Sequence, residues 1–191
     1  MTAKILAFAG SARAGSFNRK LIAIAAAATR AAGGEVTLVE LRDYPMPLYD
    51  GDLEAASGLP EHAKRMKALF LAHDGLLFSC PEYNSSITPL WKNTIDWVSR
   101  PAPGETSLQC FDGKVAALVA ASPGALGGLR GLVHVRSILG NIGVLVLPTQ
   151  LAISKAHEAF DENGKLKDAK QQATVEKIAG QLVTTVSKLR G

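Results

Sequence analysis

Apolar residues fall into two rhythms along this chain. Short and nearly unbroken apolar runs occupy positions 4–9, 36–41, 75–79, 115–121 and 144–147, and such runs read as strands buried on both faces. Between them the apolar spacing lengthens to three and four. Leu21, Ile24, Ala25, Ala28 and Ala32 predict a helix from Phe17 or Asn18 to Ala32, with Ser16 as its cap and Gly33-Gly34 as its stop. Thr88 followed by Pro89 marks a second helix start, and Trp91, Ile95 and Val98 give that helix one apolar stripe. Further helices are expected over 59–72, 129–139 and 167–189. Strands that alternate with helices and are apolar on both sides predict a doubly wound α/β fold, a five-stranded parallel sheet with helices on both faces.

The segment 43–58, with Pro45, Pro47, Tyr49, Asp50, Gly51 and Asp52, shows neither rhythm. It is the longest stretch expected to be irregular, and it reads either as a functional loop or as a solvated connection.

Composition narrows the class. Of the 191 residues, 47% are hydrophobic and 20% charged, the balance of a globular protein near the size of one domain, so a single domain over 1–191 is expected. The longest apolar stretch, 21–28, is much shorter than the roughly 18 residues of a membrane span. The run 5–9 leads straight into a Gly/Ser/Arg loop and is too short for a secretory core of about 7–15 residues, so it reads as strand. Cys80 and Cys110 occur without a CxxC or a His at ligand spacing, which suggests neither a disulfide framework nor a metal site. The expected compartment is therefore the cytoplasm, and Cys80 reads as a small packing residue. A net charge of +4 favours anionic partners such as phosphates and dinucleotides. The basic residues are scattered, so neither nucleic acid nor a membrane is expected as a partner.

Ligands of doubly wound sheets lie beyond the carboxyl ends of the strands, where the strand order reverses. The loop after the first strand reads Gly10-Ser11-Ala12-Arg13-Ala14-Gly15-Ser16-Phe17-Asn18. A strand running into Gly and Ser and then a helix offers free backbone N–H groups, hydroxyls and the positive helix end to one phosphate. Arg13 adds a planar donor fork. The segment has neither the Walker Gly-Lys-Ser/Thr nor a GxGxxG, which favours a monophosphate. A third loop, Ser122-Pro123-Gly124-Ala125-Leu126-Gly127-Gly128, lacks bulk where a backbone must approach something closely, or is a plain flexible turn. Arg130, His134 and Arg136 follow it, as a solvated or interface face or as contacts to a nucleotide phosphate. His62, His73 and His157 stand in no motif and read as surface or packing residues.

Together, GSARAGSFN at 10–18 and PEYNSSITPLWKNTIDW at 81–97 resemble the paired signatures of the NAD(P)H-dependent FMN reductase family, which includes quinone, chromate and azo-dye reductases. The resemblance covers most of 4–148. It implies the flavodoxin-like strand order 2-1-3-4-5, bound FMN, NADPH or NADH as co-substrate, and a homodimer or homotetramer. It further implies that Ser11, Arg13, Ser16, Phe17 and Asn18 bind the FMN phosphate. Pro81, Glu82, Tyr83, Asn84 and Ser85 would line the isoalloxazine ring, with Ser122 and Gly124 on its pyrimidine side. Glu82 is the odd member, since a carboxylate opposes a reduced flavin unless it faces away; its backbone N–H is the alternative contact. The implied activity is ping-pong hydride transfer from NAD(P)H through FMN to quinones or other small acceptors such as chromate, azo compounds or free flavin. No protein side chain is expected to be catalytic, because the flavin carries the chemistry. Two rivals stand beside it: a flavodoxin-type FMN electron carrier without pyridine-nucleotide turnover, and a nucleotide-binding or nucleoside-processing α/β domain without flavin.

Overall fold

A computed structural model describes residues 2–191. Strands β1 (Lys4–Ala9), β2 (Glu35–Glu40), β3 (Gly75–Ser79), β4 (Val115–Ala121) and β5 (Leu145–Ile153) form one sheet in the order β2-β1-β3-β4-β5. Every neighbouring pair is parallel. The connections hold helices α1 (Phe17–Ala31), α2 (Gly51–Ser57), α3 (Glu61–Ala72), α4 (Pro89–Val98), α5 (Leu129–Asn141), α6 (Ala156–Ala159) and α7 (Ala169–Leu189). This is the flavodoxin-like arrangement.

The central strands β1, β3 and β4 are buried almost throughout, because helices cover both faces. Alternation along β1 sends Ile5 and Ala7 into one core with α1 and α7, and Leu6 and Phe8 into a second core with α3, α4 and α5. Two-residue periodicity thus splits one strand between two layers. From β1 the chain passes through α1 to β2 on one side of the sheet, then crosses to β3 on the other. The carboxyl ends of β1 and β3 therefore diverge and open a crevice.

Three expectations need correction. β5 does not stop at residue 147 but continues to Ile153. Its register against β4 jumps from Ala116↔Val146 to Leu118↔Gln150, a bulge that accommodates Pro148 on an edge strand, where its missing N–H is tolerated. The 43–58 segment is not wholly irregular, since it holds α2, capped by Asp50 accepting from Asp52 N at 2.8 Å. Leu41 opens a short 3-10 turn and does not close β2. Among the described residues no helix is long and apolar enough to cross a membrane.

Candidate active site at the ends of β1 and β3

The first loop is held at both ends. Gly10 N donates to Ser79 O at 2.9 Å, and Gly10 O accepts from the Thr88 hydroxyl at 2.7 Å. A Cβ on Gly10 would stand 2.2 Å from Trp91 Cδ1, so only glycine lets α4 pack this close to the loop. Thr88 also accepts from Trp91 N at 3.2 Å. One hydroxyl thus caps α4 and anchors the phosphate-type loop.

Ser16 occupies the N-cap position of α1, yet its side chain makes no capping bond although the residue is 4% exposed. The first-turn N–H groups of Phe17 and Asn18 have no helical acceptor. The Ser16 hydroxyl and the helix start, uncommitted within the protein, both offer donors to the cleft that an anion can accept. Arg13 lies beside them, with its guanidinium over the Phe17 ring at 5.9 Å and one N–H to Gly15 O at 3.3 Å. Asn18 also makes hydrogen bonds deep in the protein. Its amide nitrogen donates to Ala121 O at 2.8 Å, while its oxygen accepts from Ala121 N at 3.0 Å and from the Ser79 hydroxyl at 2.8 Å.

The second loop reverses sharply at Tyr83–Ser86, whose N–H and C=O groups bond each other at 3.0 Å both ways. Asn84 (φ 50°) and Ser85 (φ 66°) are both left-handed, the geometry of a two-residue type I′ turn. Asn suits that region, Ser less so. The turn raises Tyr83, which is half exposed. The Glu82 carboxylate points to α5, where it accepts from Arg130 at 2.9 and 3.1 Å and from Gly131 N at 2.9 Å. Its negative charge is thereby paired on the far side of the loop.

Behind β4, Ser122 Oγ accepts from Gly124 N at 3.3 Å. Gly127 and Gly128 are left-handed, and a Cβ on Gly127 would come within 2.6 Å of the Ile153 carbonyl carbon. The glycines of this loop make room for the end of β5. Arg136 is engaged elsewhere, clamping the β5 bulge through Gln150 at 2.9 Å and Val146 O at 3.4 Å. His134 Nδ1 meets the Ser86 hydroxyl at 2.8 Å.

These loops enclose a cleft of about 210 Å³. Ser11, Arg13, Ser16, Phe17 and Asn18 line it from the first loop, and Pro81, Glu82 and Tyr83 from the second. Ser122 completes the expected set, and Ala121 and Pro123 are additions that the sequence reading missed. Asn84 and Ser85 shape the turn without lining the cleft, and Gly124 also lies outside its wall. A larger groove of about 720 Å³ runs between the alanine face of α1 (Ala27, Ala28, Ala31) and Lys165, Gln172 and Glu176, away from the carboxyl ends of β1 and β3 where a doubly wound sheet holds its ligand. Both cysteines are free and buried, and burial pushes the Cys80 thiol well above its ordinary pKa. Among the described residues no cluster of three His, Cys, Asp or Glu side chains is placed to hold a metal ion.

A flavodoxin-like sheet whose switch-point cleft sets a helix start, hydroxyls and Arg13 opposite Pro81, Tyr83 and Pro123 has the form of the α/β proteins that hold a mononucleotide. Within that class the assignment is specific: residues 3–158 match the model of the NADPH-dependent FMN reductase family, and the chain belongs to that family. It is 38% identical over 193 residues to an NAD(P)H-dependent FMN reductase of Pseudomonas aeruginosa, covering 98% of this chain and 97% of the relative. It is 36% identical to a quinone reductase of Pseudomonas putida, with 89% of each chain covered. Among solved structures, a flavoenzyme NAD(P)H:(acceptor) oxidoreductase of Paracoccus denitrificans superposes with a TM-score of 0.83 at 27% identity, covering 98% of both chains.

Proposed function

We infer that this chain binds FMN in the cleft and uses it to carry hydride from NADPH or NADH to small acceptors, with 1–191 working as one domain. The observation that carries the reading is the meeting of an uncommitted helix start and the Ser16 hydroxyl with the Pro81 and Tyr83 side of the second loop, in one crevice at the switch point. The first-turn N–H groups, Ser16 and Arg13 would hold the phosphate. Pro81 and Tyr83 would lie along the ring, with Ser122 towards its pyrimidine edge. When bound, the flavin supplies the redox chemistry; the protein's part is to bind and orient it and to keep Glu82 turned away.

A cleft of about 210 Å³ is smaller than sites that enclose a whole drug-sized ligand, roughly 300–1,000 Å³. The ring is therefore only partly covered, which suits a ping-pong exchange in which NAD(P)H and then a quinone, chromate, an azo compound or free flavin use the same open face. The same reading includes a cytoplasmic homodimer or homotetramer, for which exposed Leu126, Leu129 and Val133 offer an apolar face.

Titration of apoprotein with FMN, followed by quenching of flavin fluorescence, tests the site. Arg13→Ala is expected to weaken binding by about 10- to 150-fold, the scale of one hydrogen bond to a charged group. NADPH consumption with a quinone present tests the activity, and a protein that binds FMN without turnover is an electron carrier instead. Failure to bind FMN defeats the reading.

A further inference from the structure

We propose that Asn18 is a positioning residue that stands in for a missing rung of the sheet and thereby frees the backbone N–H of Glu82 for the ligand. The proposal rests on the reading of the cleft as an FMN site.

β3 and β4 run in register from Gly75↔Val115 to Ser79↔Val119, and Cys80 N still donates to Val119 O at 2.8 Å. In a parallel ladder continued by two residues, Ala121 N would donate to Cys80 O, and Ala121 O would accept from Glu82 N. The chain departs at Pro81 instead. Both polar groups of Ala121 are then left facing a gap, where burial without partners is unfavourable. The carboxamide of Asn18 fills both places: its oxygen accepts from Ala121 N at 3.0 Å and its nitrogen donates to Ala121 O at 2.8 Å. A carboxamide is a peptide group carried on a side chain, so it reproduces the missing rung with the right polarity. The Ser79 hydroxyl takes the oxygen's second lone pair at 2.8 Å; the two Ala121 groups fix the amide orientation, since exchanging N and O would set donor against donor at Ala121 N and acceptor against acceptor at Ala121 O.

Two consequences follow. Both lone pairs of the Asn18 oxygen and one of its two N–H bonds are consumed inside the protein, at a residue only 4% exposed. Its amide is therefore committed chiefly as a brace, with one N–H left over at the cleft. Glu82 N, released from the ladder, has no hydrogen-bond acceptor among the described residues and belongs to a residue that lines the cleft. It is a donor held at the strand end for the flavin ring. The same brace ties the start of α1 to the points where the second and third loops leave β3 and β4, so it sets the spacing of all three walls.

The test compares apoproteins of wild type, Asn18→Ala and Ser79→Ala, each titrated with FMN and with riboflavin, which lacks the phosphate. Asn18→Ala is expected to weaken both ligands alike, on the order of tenfold, and Ser79→Ala to weaken both by about threefold. Ser79 does not line the cleft, so an effect of its hydroxyl on riboflavin reports positioning. A loss confined to FMN makes Asn18 a phosphate ligand and overturns the proposal, as does unchanged affinity for both. Amide hydrogen exchange supplies the independent readout. In flavin-free wild type the Ala121 N–H exchanges slowly and the Glu82 N–H fast; Asn18→Ala makes the first fast, and adding riboflavin to wild type slows the second. An Ala121 N–H that stays slow in Asn18→Ala, or a Glu82 N–H that riboflavin leaves fast, overturns it. Wild type that binds neither flavin defeats the FMN reading, and the Ala121 exchange then still decides whether Asn18 is the missing rung.

Discussion

Among the described residues Glu82 is the sole acidic one lining the cleft, and its effect on a bound flavin depends on what neutralises its charge. The Arg130 guanidinium neutralises it from α5 while Gly131 N fixes its second oxygen. Arg130→Ala leaves the carboxylate on Gly131 N alone with its charge uncompensated. Adding electrons to a flavin beside a bare carboxylate is harder, so the midpoint potential of bound FMN should move to more negative values. A shift on the order of 10 mV, about 0.5 kcal/mol for a two-electron couple, is expected. Dye-equilibration measurements check it, and the added substitution Glu82→Gln should cancel the shift. The sequence pointed to Glu82 as the odd residue of its motif because its chemistry clashes with the ligand. It did not disclose the remedy, since Arg130 lies 48 positions along the chain and only the crossing from β3 to α5 brings the two together. Asn18 is illegible for the same reason. Its spacing places it at a helix start beside the first loop, while its amide's hydrogen bonds go to the ends of β3 and β4.

Elements whose signals are local were readable, and those set by tertiary context were not. Thr88-Pro89 foretold the start of α4 because cap chemistry and a fixed proline φ are properties of neighbouring residues. The second duty of Thr88, donating to Gly10 O, adds a prediction at this scale. Thr88→Val keeps the volume but removes the α4 cap and strands a carbonyl at a residue 2% exposed. The expected destabilisation is about 2–4 kcal/mol, summing a lost cap and an unpaired acceptor, and urea unfolding measures it. FMN affinity should fall in parallel, because the first loop loses its anchor. The two misread elements fail for opposite reasons. α2 buries none of its residues, so no apolar stripe announces it, and the Asp50 cap was the available clue. β5 contains a proline that normally ends an interior strand, and only its edge position with a bulge clamped by Arg136 lets it continue.

At the scale of the whole molecule, the α3–α4 layer is stapled by a buried charge. Lys67 sits on α3 and is 4% exposed. Its ammonium donates to Arg100 O at 2.6 Å and Val98 O at 3.3 Å, and pairs with Glu105 at 2.7 Å. It thus pins the chain leaving α4 to the helix before β3. A buried ammonium is tolerated because every direction around it is satisfied. The Lys67 hydrogen bond, followed by one from Ala102 N, holds the Glu105 carboxyl below the ordinary carboxylate range against the opposing effect of burial. Because the folded pKa is the lower one, the unfolded chain takes up the proton first as pH falls. The stabilisation is complete above the ordinary value of 4.5 and drains away as acidity approaches and passes the folded value. Glu105 is still partly open to solvent, which keeps its share to about 1 kcal/mol. Urea midpoints should accordingly begin to drop as pH falls towards and below the ordinary carboxylate range, roughly below pH 5. Glu105→Gln should lower the midpoint at pH 7 and flatten that acid slope, since no proton is then taken up at this position. An unchanged acid slope in Glu105→Gln would show that other carboxylates govern the acid limb and that the staple holds through the carbonyls of Val98 and Arg100 alone.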